Sequence, residues 1–219
     1  MKTMNDLFLH FLQDIYYAEK ASAKSATKIM RSVTNEQVKQ MLQTGKDHAN
    51  EPIERLDKVF EAVGKRPRGK ACEAMNGLLT EAQEAIEEGE KGPVLDAALI
   101  ACLQGVKTFE VTRYGSLIAF ARQMGLNDAV TELTVLRDQA HADDDKLTEI
   151  AEGSVNVKAS EEKGEDDEDD EEEDEEPDEQ EPTKKASSVK PKPAPAPMPA
   201  AKPAPKAAKP APVPTRKKG

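Results

Sequence analysis

Residues 64–92 read G-K-R-P-R-G-K-A-C-E-A-M-N-G-L-L-T-E-A-Q-E-A-I-E-E-G-E-K-G, and this connection decides the fold. Its first seven residues, Gly64 to Lys70, combine two glycines, a proline and four cations, a composition that stops a helix and makes a loop. From about Cys72 to Glu88, Met75, Leu78, Leu79 and Ile86 recur at helical spacing, and Gly89 and Gly92 close the segment. A connection of about 28 residues with its own short helix is long enough to cross the full length of a helical bundle.

Outward in both directions the pattern is helical, with apolar residues every three or four positions and no alternating run of strand length. Upstream, a helix is expected from about Asn5 to Val33, with Phe8, Leu12, Ile15, Ala26, Ile29 and Val33 on one stripe and Ser22 as its small polar member. Thr34 opens T-N-E-Q, a capping-box pattern, and a second helix follows to about Val63, with Val38, Met41, Leu42, Leu56, Val59 and Val63 inward. Downstream, Pro93 suits a first helical turn, and a third helix runs to Met124 with Leu95, Leu99, Leu103, Val106, Leu117 and Phe120 inside. Gly125 ends it. Asn127 is placed to cap a fourth helix that carries Val130, Leu133, Leu136, Ala140, Leu147 and Ile150 and ends near Gly153. These four helices of roughly 24 to 32 residues are each about 36–48 Å long. The junctions at Thr34 and Gly125 are too short for anything but antiparallel neighbours. Two such hairpins joined by one long crossover make an all-α, antiparallel four-helix bundle of the ferritin-like kind rather than a simple up-and-down one.

Composition divides the 219 residues into three parts. Residues 1–160 are ordinary globular sequence with a net charge of −5 and enough length to bury a sizeable core. Residues 161–181 hold 17 acids and one lysine, and residues 182–219 hold ten Lys/Arg, no acid and 11 of the 15 prolines. The acidic block is expected to be disordered because its charges repel at separations comparable with the Debye length. The Lys/Ala/Pro-rich segment is expected to be extended and disordered as well. Such a basic arm either contacts nucleic acid nonspecifically, with strong salt dependence, or serves as a solubilising spacer. It has no aromatic residue on which bases could stack. No run of about 18 apolar residues and no signal-like N-terminus occur, so no membrane contact and a cytoplasmic location are expected. Cys72 and Cys102 fit no metal or disulfide spacing and read as small buried hydrophobes.

Each stripe is interrupted near mid-helix by a residue that can bind a metal. Glu19 falls between Ile15 and Ala26, and Glu110 between Val106 and Leu117. Counting across the hairpin turns, the level of Glu19 on the second helix is flanked by His48 and Glu51. The level of Glu110 on the fourth helix is occupied by Asp138, His141 and Asp144. Carboxylates taken out of water need compensation. A dinuclear iron or manganese centre supplies it, because oxygen and imidazole ligands from facing helices suit those metals. Ion pairing supplies it as well: Lys107 and Arg113 neighbour Glu110, and Lys20 and Lys24 neighbour Glu19. Tyr16 and Tyr114 lie one turn from the two glutamates, where their hydroxyls either bond those carboxylates or simply pack. Pro52 either kinks the second helix beside this level or marks a new helical segment starting at Asn50.

The blocks L-Q-D-I-Y-Y-A-E-K (Leu12 to Lys20), I-E-R-L-D-K-V (Ile53 to Val59), A-M-N-G-L-L-T-E-A (Ala74 to Ala82), D-A-A-L-I-A (Asp96 to Ala101), F-E-V-T-R-Y-G-S-L (Phe109 to Leu117) and D-D-K-L-T-E-I-A (Asp144 to Ala151) resemble the YciE/YciF family of bacterial ferritin-like proteins. The resemblance spans residues 1 to about 160. It implies a ferritin-like helical domain, a homodimer, an association with stress responses and a metal-binding site without a settled enzymatic activity. It also implies acids at Glu19, Glu81, Glu110 and Asp144. The chain departs from that pattern where relatives carry E-H-Y-E, here Lys107 to Glu110, and where they carry glutamates on the fourth helix, here Asp138 to His141. A histidine of the second helix is replaced by Gly45. The expected function is therefore a noncatalytic, stress-associated protein with a vestigial or rearranged carboxylate/His site. Its rivals are a di-iron or di-manganese oxidase that consumes peroxide or oxygen, and a nucleoid-associated protein acting through the basic tail.

Overall fold

The computed structural model describes residues 1–162, which are helical apart from short connections. The elements are α1 (Met4–Ser32), α2 (Glu36–Asp47), α3 (Asn50–Ala62), α4 (Glu73–Glu88), α5 (Pro93–Gln123), α6 (Asn127–Ile150), one π-helical turn (Ala151–Val155) and α7 (Asn156–Glu161). Helices α1 and α2–α3 form one hairpin and α5 and α6 the other, with α5 packed on α1 and α6 on α3. The crossover helix α4 lies against α1 and α5. This is the ferritin-like four-helix arrangement. The expectations for the acidic and basic tail segments fall, from residue 163 on, outside the described residues.

The helix ends show where local signals were read correctly and where a distant residue overrode them. Thr3 and Asp6 form a reciprocal capping box that starts α1. At the next junction the capping box expected at Thr34 does not form. Asn35 caps α2 instead, accepting from the amides of Gln37 and Val38. Thr34 is drawn away by Asp96 of α5, a carboxylate only 3% exposed. Asp96 accepts from the Thr34 amide and hydroxyl at 2.6 Å each and from the Asn35 amide at 2.8 Å. One acid thus ties the turn of the first hairpin to the start of the second.

The second long helix is two helices. The chain breaks at His48 and Ala49, and Pro52 stands in the first turn of α3, where an amide would have no helical partner. Of the two readings of Pro52, the new segment from Asn50 is the one the structure adopts. Helix α5 ends in a Schellman motif: Gly125, at φ 70°, donates to the Arg122 carbonyl and Leu126 to the Ala121 carbonyl. Leu126, not Asn127, then occupies the cap of α6. Gly153 does not end the last helix. It sits in the π turn, and the chain stays helical to Glu161, which carries the helix one residue into the acidic block.

The apolar interior has two parts. Phe8, Leu12, Ile15, Leu56, Phe60, Met75, Leu117, Ile118 and Leu133 build the lower part. Ile29, Val33, Val38, Leu95, Leu99, Ile100, Leu147 and Ile150 build the upper one. Both mid-helix glutamates lie at the inner end of the lower part, Glu19 between Ala18 and Ala21 on α1 and Glu110 between Val106 and Tyr114 on α5. The α2–α3 break falls in the corresponding stretch of the fourth rod.

Candidate functional site

Five side chains from three helices meet at that level. Glu110 of α5 is 2% exposed. Its Oε2 accepts from Lys107 Nζ at 2.9 Å, one turn earlier on the same helix. The same ammonium is 3.3 Å from Asp143 Oδ2 of α6. Across the interface, Tyr114 of α5 donates its hydroxyl to Glu19 Oε1 of α1. Glu110 Oε1 and Asp144 Oδ1 are buried without a hydrogen-bond partner.

The electrostatics follow from enclosure and crowding. Burial and then the charge of Glu110 push the Glu19 carboxyl up to about 8, against the opposing pull of Lys107 and of the Tyr114 hydroxyl. Glu19 therefore holds a proton at neutral pH. Burial also drives the Tyr114 phenol well above its ordinary value, with Glu19 and Glu110 adding to the shift. For Lys107 burial pulls the other way, but Glu110, Glu19 and Asp143 together outweigh it and keep the ammonium charged. The layer thus sets a protonated Glu19 and a charged Lys107 beside the carboxyls of Glu110 and Asp143.

The structure brings Glu19, Glu110 and, through Asp143, the level of Asp144 to the interior, and it turns the other expected ligands outward. His48 and Glu51 lie on the exposed α2–α3 corner and bond each other at 2.7 Å, their side chains 60% and 64% exposed. Glu51 raises the His48 imidazole above its usual value. Asp138 pairs with its neighbour Arg137 at 2.7 Å, and His141 faces Asp145 at 3.2 Å in solvent. Glu81 is exposed on α4. Among the described residues, no three His, Cys, Asp or Glu side chains converge as a metal-ligand group.

Of the cations expected to neutralise the glutamates, Lys107 does so. Arg113 instead stacks over Phe11 at 4.1 Å and Phe109 at 5.1 Å, and Lys20 covers the Tyr16 ring and bonds its hydroxyl. Tyr16 itself packs edge-on against Phe60, while Tyr114 bonds a carboxylate, so the two tyrosines divide the two roles proposed for them. The residue that sequence reasoning missed is Asp143. Its signal was available, because it lies three residues after Ala140 and four before Leu147 on the buried stripe of α6. His141 and Asp138 share the level of Glu110 by chain count but are off that stripe.

Chemically, this layer does not fit a dinuclear centre. Its donors are oxygens alone, no imidazole reaches it, and an ammonium stands within 3.3 Å of two of the carboxylates. What it can do is hold charge and one proton inside the bundle.

Two antiparallel hairpins, a long crossover helix and a polar layer at mid-height define a ferritin-like helical protein. The DUF892 family, described as a domain of unknown function, matches residues 3–160. The chain belongs to that family. It is 39% identical over 160 residues to the protein YciF of Escherichia coli strain K12, a match covering 73% of this chain and 96% of YciF. The crystal structure of the E. coli stress protein YciF superposes with a TM-score of 0.68 at 39% identity, covering 71% of this chain and 99% of that one. YcfI from Rhodopseudomonas palustris superposes with a TM-score of 0.64 at 42% identity, covering 67% and 94% of the two chains.

Proposed function

We propose that this protein is a noncatalytic, stress-associated ferritin-like scaffold whose interior site is an ion-paired rearrangement of a metal centre. The observation that carries the reading is the position of the Lys107 ammonium between Glu110 and Asp143, where it supplies the positive charge that buried carboxylates require. The outward orientation of His48 and His141 supports it, since both imidazoles are spent on exposed acids. The description of YciF as a stress protein supports the physiological half of the reading.

Elemental analysis of the purified, iron-loaded full-length chain tests it, together with assays of peroxide and oxygen consumption. Strongly substoichiometric metal and no consumption are expected. Two metal ions per chain that disappear in Glu19→Ala and Glu110→Ala would overturn it in favour of an oxidase.

The scaffold acts in the cytoplasm as a homodimer in this reading. Support for pairing comes from the half-buried aromatic row on α1 and α5, in which Phe11 and Phe120 stack at 6.1 Å between centroids. A monomeric mass by light scattering refutes the dimer. Any nucleic-acid contact rests on the charge of residues 182–219 alone. A mobility shift that is unchanged when the chain is ended at Ser160 removes it.

A further inference from the structure

Lys107 is placed unlike an ordinary salt-bridge lysine. Its side chain is only 21% exposed, its stem leaves α5 beside Val106, and its ammonium reaches two acids from different helices. One of those acids, Glu110, is 2% exposed and keeps its second oxygen buried and unpartnered. Asp144, next to Asp143 on α6, has an unpartnered buried oxygen as well. Buried acceptors without donors are uncommon, because each forfeits hydration without recovering a hydrogen bond. These oxygens therefore have coordination capacity that the protein leaves unused.

We propose that the Lys107 ammonium is a tethered cation that excludes divalent metal from this layer, and that Glu19, Glu110 and Asp143 form a latent all-oxygen cation site that opens when the ammonium is removed. This deepens the reading of the layer as a rearranged site and rests on it. A metal ion on Glu110 Oε2 would have to share that oxygen with an ammonium already 2.9 Å away, and two cations at such a separation repel strongly where water is scarce. The ammonium also has the advantage of attachment. It competes as an intramolecular group, whereas a metal ion must be drawn from solution. The site freed in this way would favour hard divalent ions such as Mn2+ over zinc or copper, because it offers carboxylate oxygen and neither imidazole nor thiolate. The partly exposed Lys107 side chain marks the route by which an ion would enter once it is shortened.

The test uses full-length wild type, Lys107→Ala and the double variant Lys107→Ala/Glu110→Gln, with Mn2+ as the probe. Binding is read by the loss of the free Mn2+ electron-paramagnetic signal and by the thermal midpoint with and without Mn2+. The expected result is no specific binding to wild type, at least a tenfold tighter Mn2+ dissociation constant in Lys107→Ala with a raised midpoint, and loss of both in the double variant. If Lys107→Ala is unfolded alone, Lys107→Met, which keeps most of the stem and removes the charge, takes its place. If both are unfolded, Mn2+-dependent recovery of helical circular dichroism becomes the readout, and its absence counts against the proposal. A folded Lys107→Ala that ignores Mn2+ overturns this inference and leaves the scaffold reading standing. Glu110-dependent Mn2+ binding by wild type overturns both.

Discussion

Raising the pH from 6 to 8 should destabilise this protein through Glu19. Its carboxyl is held up at about 8 inside the bundle, whereas in the unfolded chain it titrates near 4.5. Between those values the folded state keeps a proton that the unfolded state has released, so unfolding free energy falls as pH rises, by at most about 1.4 kcal/mol per pH unit. Below the lower value both states are protonated, above the higher one both are ionised, and there the contribution is flat. Integrated from pH 6 to 8, the loss is about 2 kcal/mol, a large fraction of the 5–15 kcal/mol typical of a domain. The groups facing Glu19 do not blur this window. Lys107 and Tyr114 are both pushed upward and stay protonated throughout it.

The assay is urea unfolding at half-unit pH steps for wild type and Glu19→Gln, which cannot ionise. The difference between the two curves isolates Glu19, because His48 and every other titrating group is common to both. A difference that stays within about 0.5 kcal/mol across the window, well under the predicted loss, refutes the reasoning. A stability that rises with pH and depends on Glu19 would refute it more deeply, since that is the signature of a deprotonated metal ligand.

Three further predictions follow from the geometry. Asp96→Ala removes the acceptor of three bonds at the junction of the two hairpins and should cost about 3–5 kcal/mol in urea unfolding, with Thr34→Val, which removes one of them, costing about 1–2 kcal/mol. Equal losses in the two variants would show that the backbone amides contribute nothing. Tyr114→Phe leaves Glu19 without its donor, so it should lower stability by about 1–2 kcal/mol and move the pH-dependent loss to higher pH. A pH profile that superposes on wild type would contradict this. His48→Ala and His141→Ala should leave the thermal midpoint and the metal content of the purified chain unchanged, because both imidazoles pair in solvent. Altered metal content in either variant would return that histidine to the site.

Where the sequence and the structure agree, the deciding physics is local. Helical periodicity, the Gly64–Lys70 loop, Pro93 at the start of α5 and Gly125 after its end depend on side chains within a few residues of one another, so the order of the helical rods and the long crossover were legible in advance. The same holds for Glu19 and Glu110, whose conflict with an apolar stripe needs no partner to be noticed. The inward register of Asp143 was also written in the α6 stripe.

Tertiary structure alone decided the rest, because the competition was between groups far apart in the chain. Asp96, 62 residues from Thr34, outbids the helix cap that Thr34 would otherwise form, since a buried carboxylate takes donors more strongly than a local turn does. The break at His48 and Ala49 rotates the end of α2 away from the interior and leaves His48 and Glu51 to each other. Whether Lys107, Arg113 or a metal would answer Glu110 depended on what lay beside it across two helix interfaces. Phe11 and Phe109 claim Arg113 by stacking, Asp143 draws Lys107 inward, and only folding places those neighbours within reach.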